Sequence, residues 1–209
     1  MFKTKIAFSI AAFFAVCLFG LINCLAQNQT AKTQIEPSYE VILQTVVGSN
    51  NSNAKTEIPQ TLSSLLKNLK AYYSYSNYHL TSTFLQRVAS RGTIEFKGVF
   101  REAVQNQDAN FSVFSEWTLN DLQSLPNAKG QNSIQFQNFR FGQRVPVTTS
   151  SNLDVATGKT NSVVNYEQIG LTLQKFSLPE NAPTVIGSLS TSKPDEMMFL
   201  ILTVKPADE

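Results

Sequence analysis

The fold of this chain is decided by residues Phe141–Leu173, which read FGQRVPVTTSSNLDVATGKTNSVVNYEQIGLTL. Both ends of the stretch are rich in β-branched and other apolar residues, which predicts two β-strands. The residues between them, from Thr148 to Asn161, are polar and predict a loop. The stretch therefore predicts two strands joined by a polar connection.

The predicted loop contains ATGKT, residues 156–160, which is similar to the end of a phosphate-binding loop. Such a loop needs a glycine five residues before the glycine of GKT, and that position is Leu153. It also needs a helix directly afterwards, whereas a β-rich run follows. Gly158 and Lys159 are therefore interpreted as a hairpin turn, and no nucleotide is expected.

One helix and several further strands are predicted outside this stretch. Leucines recur at three- and four-residue steps over Ile58–Tyr73, which predicts a helix with one apolar face. A phase slip between Phe136 and Phe139 predicts a bulge or a bend. The strands predicted along the whole chain are Tyr39–Val47, Tyr78–Val88, Thr93–Phe100, Phe111–Leu119, Ile134–Val145, Val163–Phe176, Thr184–Ser190 and Met197–Val204.

This order of elements predicts a β-rich α+β protein. Residues 37–105 form a β-α-β-β subdomain, and residues 106–209 form an antiparallel β subdomain. No long or compositionally biased linker separates them, so the two are expected to pack in one globular body.

The first residues predict export. Lys3 and Lys5 precede the apolar run Ile6–Ile22, and small residues before position 27 favour cleavage of a signal peptide after Ala26. Two alternatives are a retained membrane anchor, because the run approaches the length of a bilayer span, and lipid attachment at Cys24. The periplasm, the outer membrane or the cell surface of a bacterium is the expected location.

Cleavage would change the composition of the mature chain, which begins with a flexible tether over residues 27–36. Both cysteines, Cys17 and Cys24, precede the cleavage site, so no disulfide or thiol chemistry is expected. Loss of Lys3 and Lys5 takes the formal net charge from +2 to about zero. A near-neutral chain argues against nucleic-acid partners.

The sequence contains no motif that indicates catalysis or metal binding. His79 is the only histidine, so it cannot build a multi-histidine metal site, and no nucleophile motif surrounds it. We therefore expect a protein that is not an enzyme and holds no cofactor or metal. Tyr73, Tyr75 and Tyr78 either form a surface for a peptide or glycan, or cap the core between helix and sheet.

The C-terminal half resembles the core of the secretin family of outer-membrane pores. The family pattern of Phe-Gly, two residues and Val-Pro-Val is matched at residues 141–147, and its Val-x-Tyr-x-x-Val-Gly-Leu-x-Leu pattern at residues 164–173. The connection from Leu189 to Asp195 is short, so the resemblance is to a shortened core. The residues that carry it are Gly142, Val145, Pro146, Tyr166, Gly170 and Leu171.

The resemblance implies a structural subunit of an envelope or secretion-type complex. Its partners would be envelope proteins, either identical copies in a ring or a larger complex, with the membrane contacted through that complex. The alternative is a monomeric periplasmic or surface module that binds a peptide or a glycan.

Overall fold

The computed structural model describes residues 36–50, 58–100, 112–154, 159–191, 193 and 195–207. The predicted signal peptide, nearly all of the tether and Gly158 lie outside the described residues. Glu36–Glu209 form one compact unit.

The described residues form nine strands, a 3₁₀ turn over Gln60–Leu62 and one helix, α1, over Ser63–Tyr72. All strand pairings are antiparallel, which confirms the β-rich α+β class. The strands are β1 (Ser38–Ser49), β2 (Asn77–Ala89), β3 (Thr93–Phe100), β4 (Val113–Asn120), β5 (Gln123–Pro126), β6 (Asn132–Asp154), β7 (Lys159–Pro179), β8 (Thr184–Ser190) and β9 (Glu196–Pro206).

The strands form two sheets. The first has the order β2-β1-β9-β8, and the second has the order β3-β4-β6-β5 with β7 paired to the other side of β6. The last strand of the chain therefore lies in the centre of the first sheet. Its residues Phe199–Leu202 are fully buried, as expected of a strand that is covered on both faces.

The main core lies between the two sheets. Trp117 of β4 is its largest buried side chain and lies 6.3 Å from the ring of Phe84 on β2 and 6.4 Å from that of Phe139 on β6. Leu43, Leu200 and other inward residues of the first sheet belong to the same cluster. Alternating inward residues of both sheets thus close one apolar layer.

A second core lies on the other face of the first sheet. Leu62, Leu66 and Leu69 pack against Val46 and Phe199 there. These leucines recur at three- and four-residue steps, which places them on one face of the helix. The molecule therefore has three layers, in the order helix, first sheet and second sheet.

The prediction of a loop from Thr148 to Asn161 is wrong. β6 continues to Asp154 and β7 begins at Lys159, so most of the polar stretch is paired strand. Serine, threonine and asparagine tolerate a strand when a continuous backbone ladder supports them, and the ladder between β6 and β7 continues to the pair Asp154 and Lys159.

An irregularity in the β6–β7 ladder lies where the phase slip between Phe136 and Phe139 predicted a bulge or a bend. Both side chains are buried, and the pairing of β6 with β7 skips Gln137 and Lys175 between them. Lys175 has a φ of 50°, which is uncommon for a residue with a side chain. The register is the same on both sides, so the ladder has no bulge at this point, and a bend stays a prediction.

The two sheets interleave the segments predicted as subdomains. β3 belongs to the second sheet, whereas β8 and β9 close the first sheet beside β1. The division into residues 37–105 and 106–209 stays a prediction about how the chain is organised.

Candidate assembly surface on the β6–β7 hairpin

The candidate functional site is the hairpin of β6 and β7. Its ladder runs from the pair Ser133 and Pro179 to the pair Asp154 and Lys159. On its other side, β6 pairs with β5 and then with β4, and the β4 ladder ends at Arg144. Beyond Arg144, within the described residues, the hairpin is a two-stranded ribbon that continues past the sheet.

The two glycines of the secretin-like motif are direct cross-strand partners, Gly142 on β6 and Gly170 on β7. A Cβ atom on Gly170 would lie 2.3 Å from the carbonyl oxygen of Phe141 and 3.0 Å from the Cα atom of Gly142. The first distance is shorter than real Cβ atoms show, and the second is at the lower limit of real Cβ contacts. Gly170 is therefore required where the backbones of the two strands approach each other closely.

Gly142 is under a weaker constraint. A Cβ atom there would lie 3.3 Å from the side-chain amide nitrogen of Gln168 and 3.5 Å from Cγ of Glu116. Both neighbours are parts of flexible side chains, which can move by a few tenths of an ångström. The two glycines therefore differ in how much space a side chain would have, and only Gly170 lies in close contact with the backbone of the other strand.

The remaining motif residues lie next to this pair. Pro146 is opposite Tyr166, and Val145 is opposite Glu167. Only β7 pairs with β6 at this level of the described structure, which suits a proline because it has no N–H to donate. The predicted motif residues are therefore brought together where the hairpin leaves the sheet.

Leu171 faces the opposite way from Gly170, into the main core. A Cβ atom on Gly187 of β8 would lie 2.4 Å from the Cδ2 atom of Leu171, so the glycine makes room for this side chain. Leu171 thereby anchors the base of the hairpin on the first sheet.

The outer edge of β7 is a long strand edge of the second sheet. β7 is 21 residues long and pairs with β6 alone among the described strands. An unpaired edge presents a row of backbone N–H and C=O groups to another strand. From Val163 to Ser177 most side chains are exposed, so the body of the protein leaves this edge open.

An exposed apolar patch lies on the face of the second sheet that points away from the core. It consists of Val99, Phe114 and Tyr166, which are 58%, 45% and 44% exposed. Phe114 and Tyr166 make an edge contact with ring centroids 5.8 Å apart. Val99 is the cross-strand partner of Phe114, so the patch extends from β3 to β7.

Sequence reasoning missed Val99 and Phe114. The signal was present in β4, where Val113, Ser115 and Trp117 alternate inward and leave a phenylalanine on the other face. An aromatic residue on the solvent face of a strand is the feature that could have pointed to this surface.

The three predicted tyrosines come together around a core residue. Tyr73, Tyr75 and Tyr78 lie with their ring centroids 4.9, 6.4 and 6.1 Å from that of Phe199. Tyr78 is buried and its hydroxyl donates to the carbonyl oxygen of Tyr73 at 3.3 Å. Burial also raises the pKa of Tyr78. The cluster covers the second core, and a peptide or glycan surface there stays a prediction.

His79 lies on β2 opposite Val47. Burial lowers the pKa of the imidazole, the Glu196 carboxylate raises it and Lys193 lowers it further. Its Nδ1 atom has no hydrogen-bond partner in the described part of the chain.

Two further searches of the described residues were negative. They contain no group of three or more histidine, cysteine or acidic residues placed to hold a metal ion. None of their helices is long and apolar enough to cross a membrane.

Comparison with known proteins finds similarity among solved structures. One is the Klebsiella pneumoniae type II secretion system outer membrane complex of PulD, PulS and the PulC HR domain, with 11% identity, 92% of this chain covered and a TM-score of 0.35. Another is the Salmonella SPI-1 type III secretion injectisome secretin InvG in the open gate state, with 12% identity, 92% covered and a TM-score of 0.34.

The match spans 43% of the first protein and 66% of the second, which is less than two thirds of each. No protein-family model matches the chain. No curated protein matches it either.

Proposed function

We propose that this protein is an exported, non-enzymatic subunit of a bacterial envelope assembly. It joins other copies, or a larger complex, by pairing the open edge of β7 with a strand of its neighbour. The export sequence and the secretin-like motifs support the envelope location, and the paired Gly142 and Gly170 supply the strand geometry.

The observation that carries this proposal is the length and accessibility of the β7 edge. Soluble proteins protect such edges with prolines, lysines, bulges or covering segments, because an open edge adds strands from other chains. Between Val163 and Ser177, β7 contains no proline and only one lysine, Lys175. Strand addition to an open edge is also a common mode of peptide and subunit recognition.

The best partner edge is β3 of a second copy. β3 pairs with β4 alone among the described strands, so it forms the opposite edge of the same sheet. The path β3-β4-β6-β7 contains four strands, each antiparallel to the next. β3 and β7 thus run in opposite directions, and β3 of a second copy extends the sheet beside β7 in antiparallel pairing.

A contact between two different edges is head-to-tail. Repetition of such a contact closes into a ring when the rotation between copies allows it. The outer apolar patch extends across the sheet between these two edges, so each new copy brings a further patch to the same face of the extended sheet.

Charge placed on the β7 edge tests the proposal. Thr172 and Gln174 are exposed on β7, and the double substitution Thr172→Lys/Gln174→Lys adds edge lysines of the kind that block strand addition. We expect the association constant of the purified full chain, measured by sedimentation equilibrium, to fall about tenfold or more.

The matched control is Gln86→Lys/Ser188→Lys, which adds the same charge at exposed positions on the edge strands β2 and β8 of the first sheet. This variant is expected to associate like the wild type. Equal association of all three proteins, or a wild type that stays monomeric at every concentration, would overturn the proposal.

A further inference from the structure

A shallow groove of about 530 Å³ lies beside the helix. Its apolar part is formed by Ile58 and Pro59, which precede the helix, and by Leu66, whose side chain is buried beneath. Its polar lining consists of Ser63, Lys67 and Lys70.

The described lining of the groove carries positive charge only. Lys67 and Lys70 are exposed and lie one turn apart on the same helix. None of the described residues that line the groove is acidic, and neither lysine forms an ion pair with any residue that the structure describes. Two cations therefore border an apolar surface without a described counter-charge.

We infer that this groove binds an acidic peptide segment that carries an aliphatic anchor side chain. The anchor contacts Ile58, Pro59 and Leu66, and carboxylates on either side of it pair with Lys67 and Lys70. The occupant is a segment of another protein. Its carboxylates complement the two lysines, and the small apolar area of the groove suits one side chain of an extended or helical peptide.

The groove is independent of the proposed assembly surface. The helix packs on the face of the first sheet that points away from the second sheet, whereas β3 and β7 are edges of the second sheet. A protein assembled through those edges keeps its helix layer accessible. The inference therefore adds a docking site for a partner of different chemistry and does not require self-association.

Fluorescence anisotropy of a labelled peptide tests this site. The probe is an eight-residue peptide in which pairs of acidic residues alternate with single leucines. Two comparison peptides replace the acids with lysine or the leucines with serine. We expect the acidic leucine peptide to bind the full chain, and both comparison peptides to bind about tenfold more weakly or not at all.

Two variants locate the binding. Lys67→Glu/Lys70→Glu is expected to weaken the acidic peptide about tenfold, because two attractive pairs become repulsive. Ser63→Trp is expected to abolish binding by filling the groove while both lysines remain. The control Arg91→Glu/Lys129→Glu makes the same charge change at exposed turn positions and is expected to leave binding within about twofold. Thermal unfolding confirms that each variant is folded.

Three results would contradict the proposed peptide site. Equal affinity of the wild type and the Lys67→Glu/Lys70→Glu variant, or tight binding of the lysine peptide, would overturn the inference. The inference would also be overturned if the chain does not bind the acidic peptide but binds anionic lipid vesicles, and if that binding depends on these two lysines. Peptide binding is measured on the folded chain, so a chain that does not self-associate can still bind the acidic peptide.

Discussion

Gly170 is the position at which a single added methyl group has the clearest consequence. A Cβ atom there would overlap the carbonyl oxygen of Phe141 in the neighbouring strand, which is backbone and cannot turn away. We expect Gly170→Ala to lower the free energy of unfolding by about 3 kcal/mol, as overpacking in rigid surroundings does. Urea denaturation of the full chain measures this change.

Gly142→Ala is the matched control, since the two glycines face each other across the hairpin. Its nearest contacts are the flexible side chains of Gln168 and Glu116, so we expect a cost below about 1 kcal/mol. Equal costs for the two substitutions would contradict the close backbone approach at Gly170.

His79 makes stability depend on pH. Burial lowers the pKa of the folded imidazole below its ordinary value of 6.5, so the unfolded chain binds the proton first as the pH falls. The stabilisation is complete above pH 6.5 and is lost as the pH falls towards the folded pKa. The Glu196 carboxylate opposes this shift and Lys193 adds to it.

The test compares the urea midpoints of the wild type and His79→Gln between pH 8 and about pH 5, where carboxylates contribute little. Because His79 is the only histidine of the chain, the wild type should lose stability across this window and the variant should lose much less. The same decline in both proteins would rule out His79 as its source.

At the scale of elements, the distal ribbon of the hairpin should be dispensable for folding. Beyond Val147 and Asn165 the ladder joins β6 to β7 alone among the described strands. Replacing residues 148–164 with an Asn-Gly turn closes the hairpin at this pair with a favoured two-residue connection. We expect a thermal midpoint within about 3 °C of the wild type, equivalent to about 1 kcal/mol.

Circular dichroism measures this midpoint. A loss of cooperative unfolding in the shortened chain would show that the ribbon contributes to the core. A shortened chain that folds but no longer associates would place assembly contacts in the ribbon itself.

The local patterns of the sequence predict individual elements well. The strand Thr184–Ser190 has the bounds that alternation predicts, and the leucine steps locate the helix. The polar run after Thr148 was misread because serine, threonine and asparagine are common in turns, whereas here a neighbouring strand supplies their backbone partners. β5 was missed because four residues ending in a proline show no period.

Sheet order was beyond the reach of local patterns. β9 lies between β1 and β8, so the first sheet joins segments from both ends of the described chain. Alternation states which face of a strand is buried but not which strand lies beside it. The pairing of Gly142 with Gly170 was beyond reach for a related reason, because the register between β6 and β7 shifts by one residue between Thr148 and Ser150.

At the scale of the whole molecule, three layers separate two kinds of surface. Among the described residues, β3 and β7 are the outer strands of the second sheet, and the helix layer carries the lysine-bordered groove on the other side of the first sheet. This arrangement lets one chain extend a sheet through its edges while its helix meets a different partner. The proposals for the two surfaces can therefore fail separately.

The central claim is that β7 of one copy pairs with β3 of another, and cysteine cross-linking between two differently labelled copies tests it most directly. Cys17 and Cys24 are first replaced with serine. One copy then carries Glu95→Cys or Lys97→Cys on β3, and the other carries a single cysteine on the same face of β7, at Gln168, Thr172 or Gln174.

Mild oxidation of each mixture should give a disulfide-linked heterodimer for at least one combination of β3 and β7 positions. The control pairs the same β7 cysteines with Gln86→Cys on β2, which lies in the other sheet, and should give none. Two results would contradict the account. One is that heterodimers form as readily with the β2 cysteine as with the β3 cysteines, and the other is that no combination with β3 gives a heterodimer.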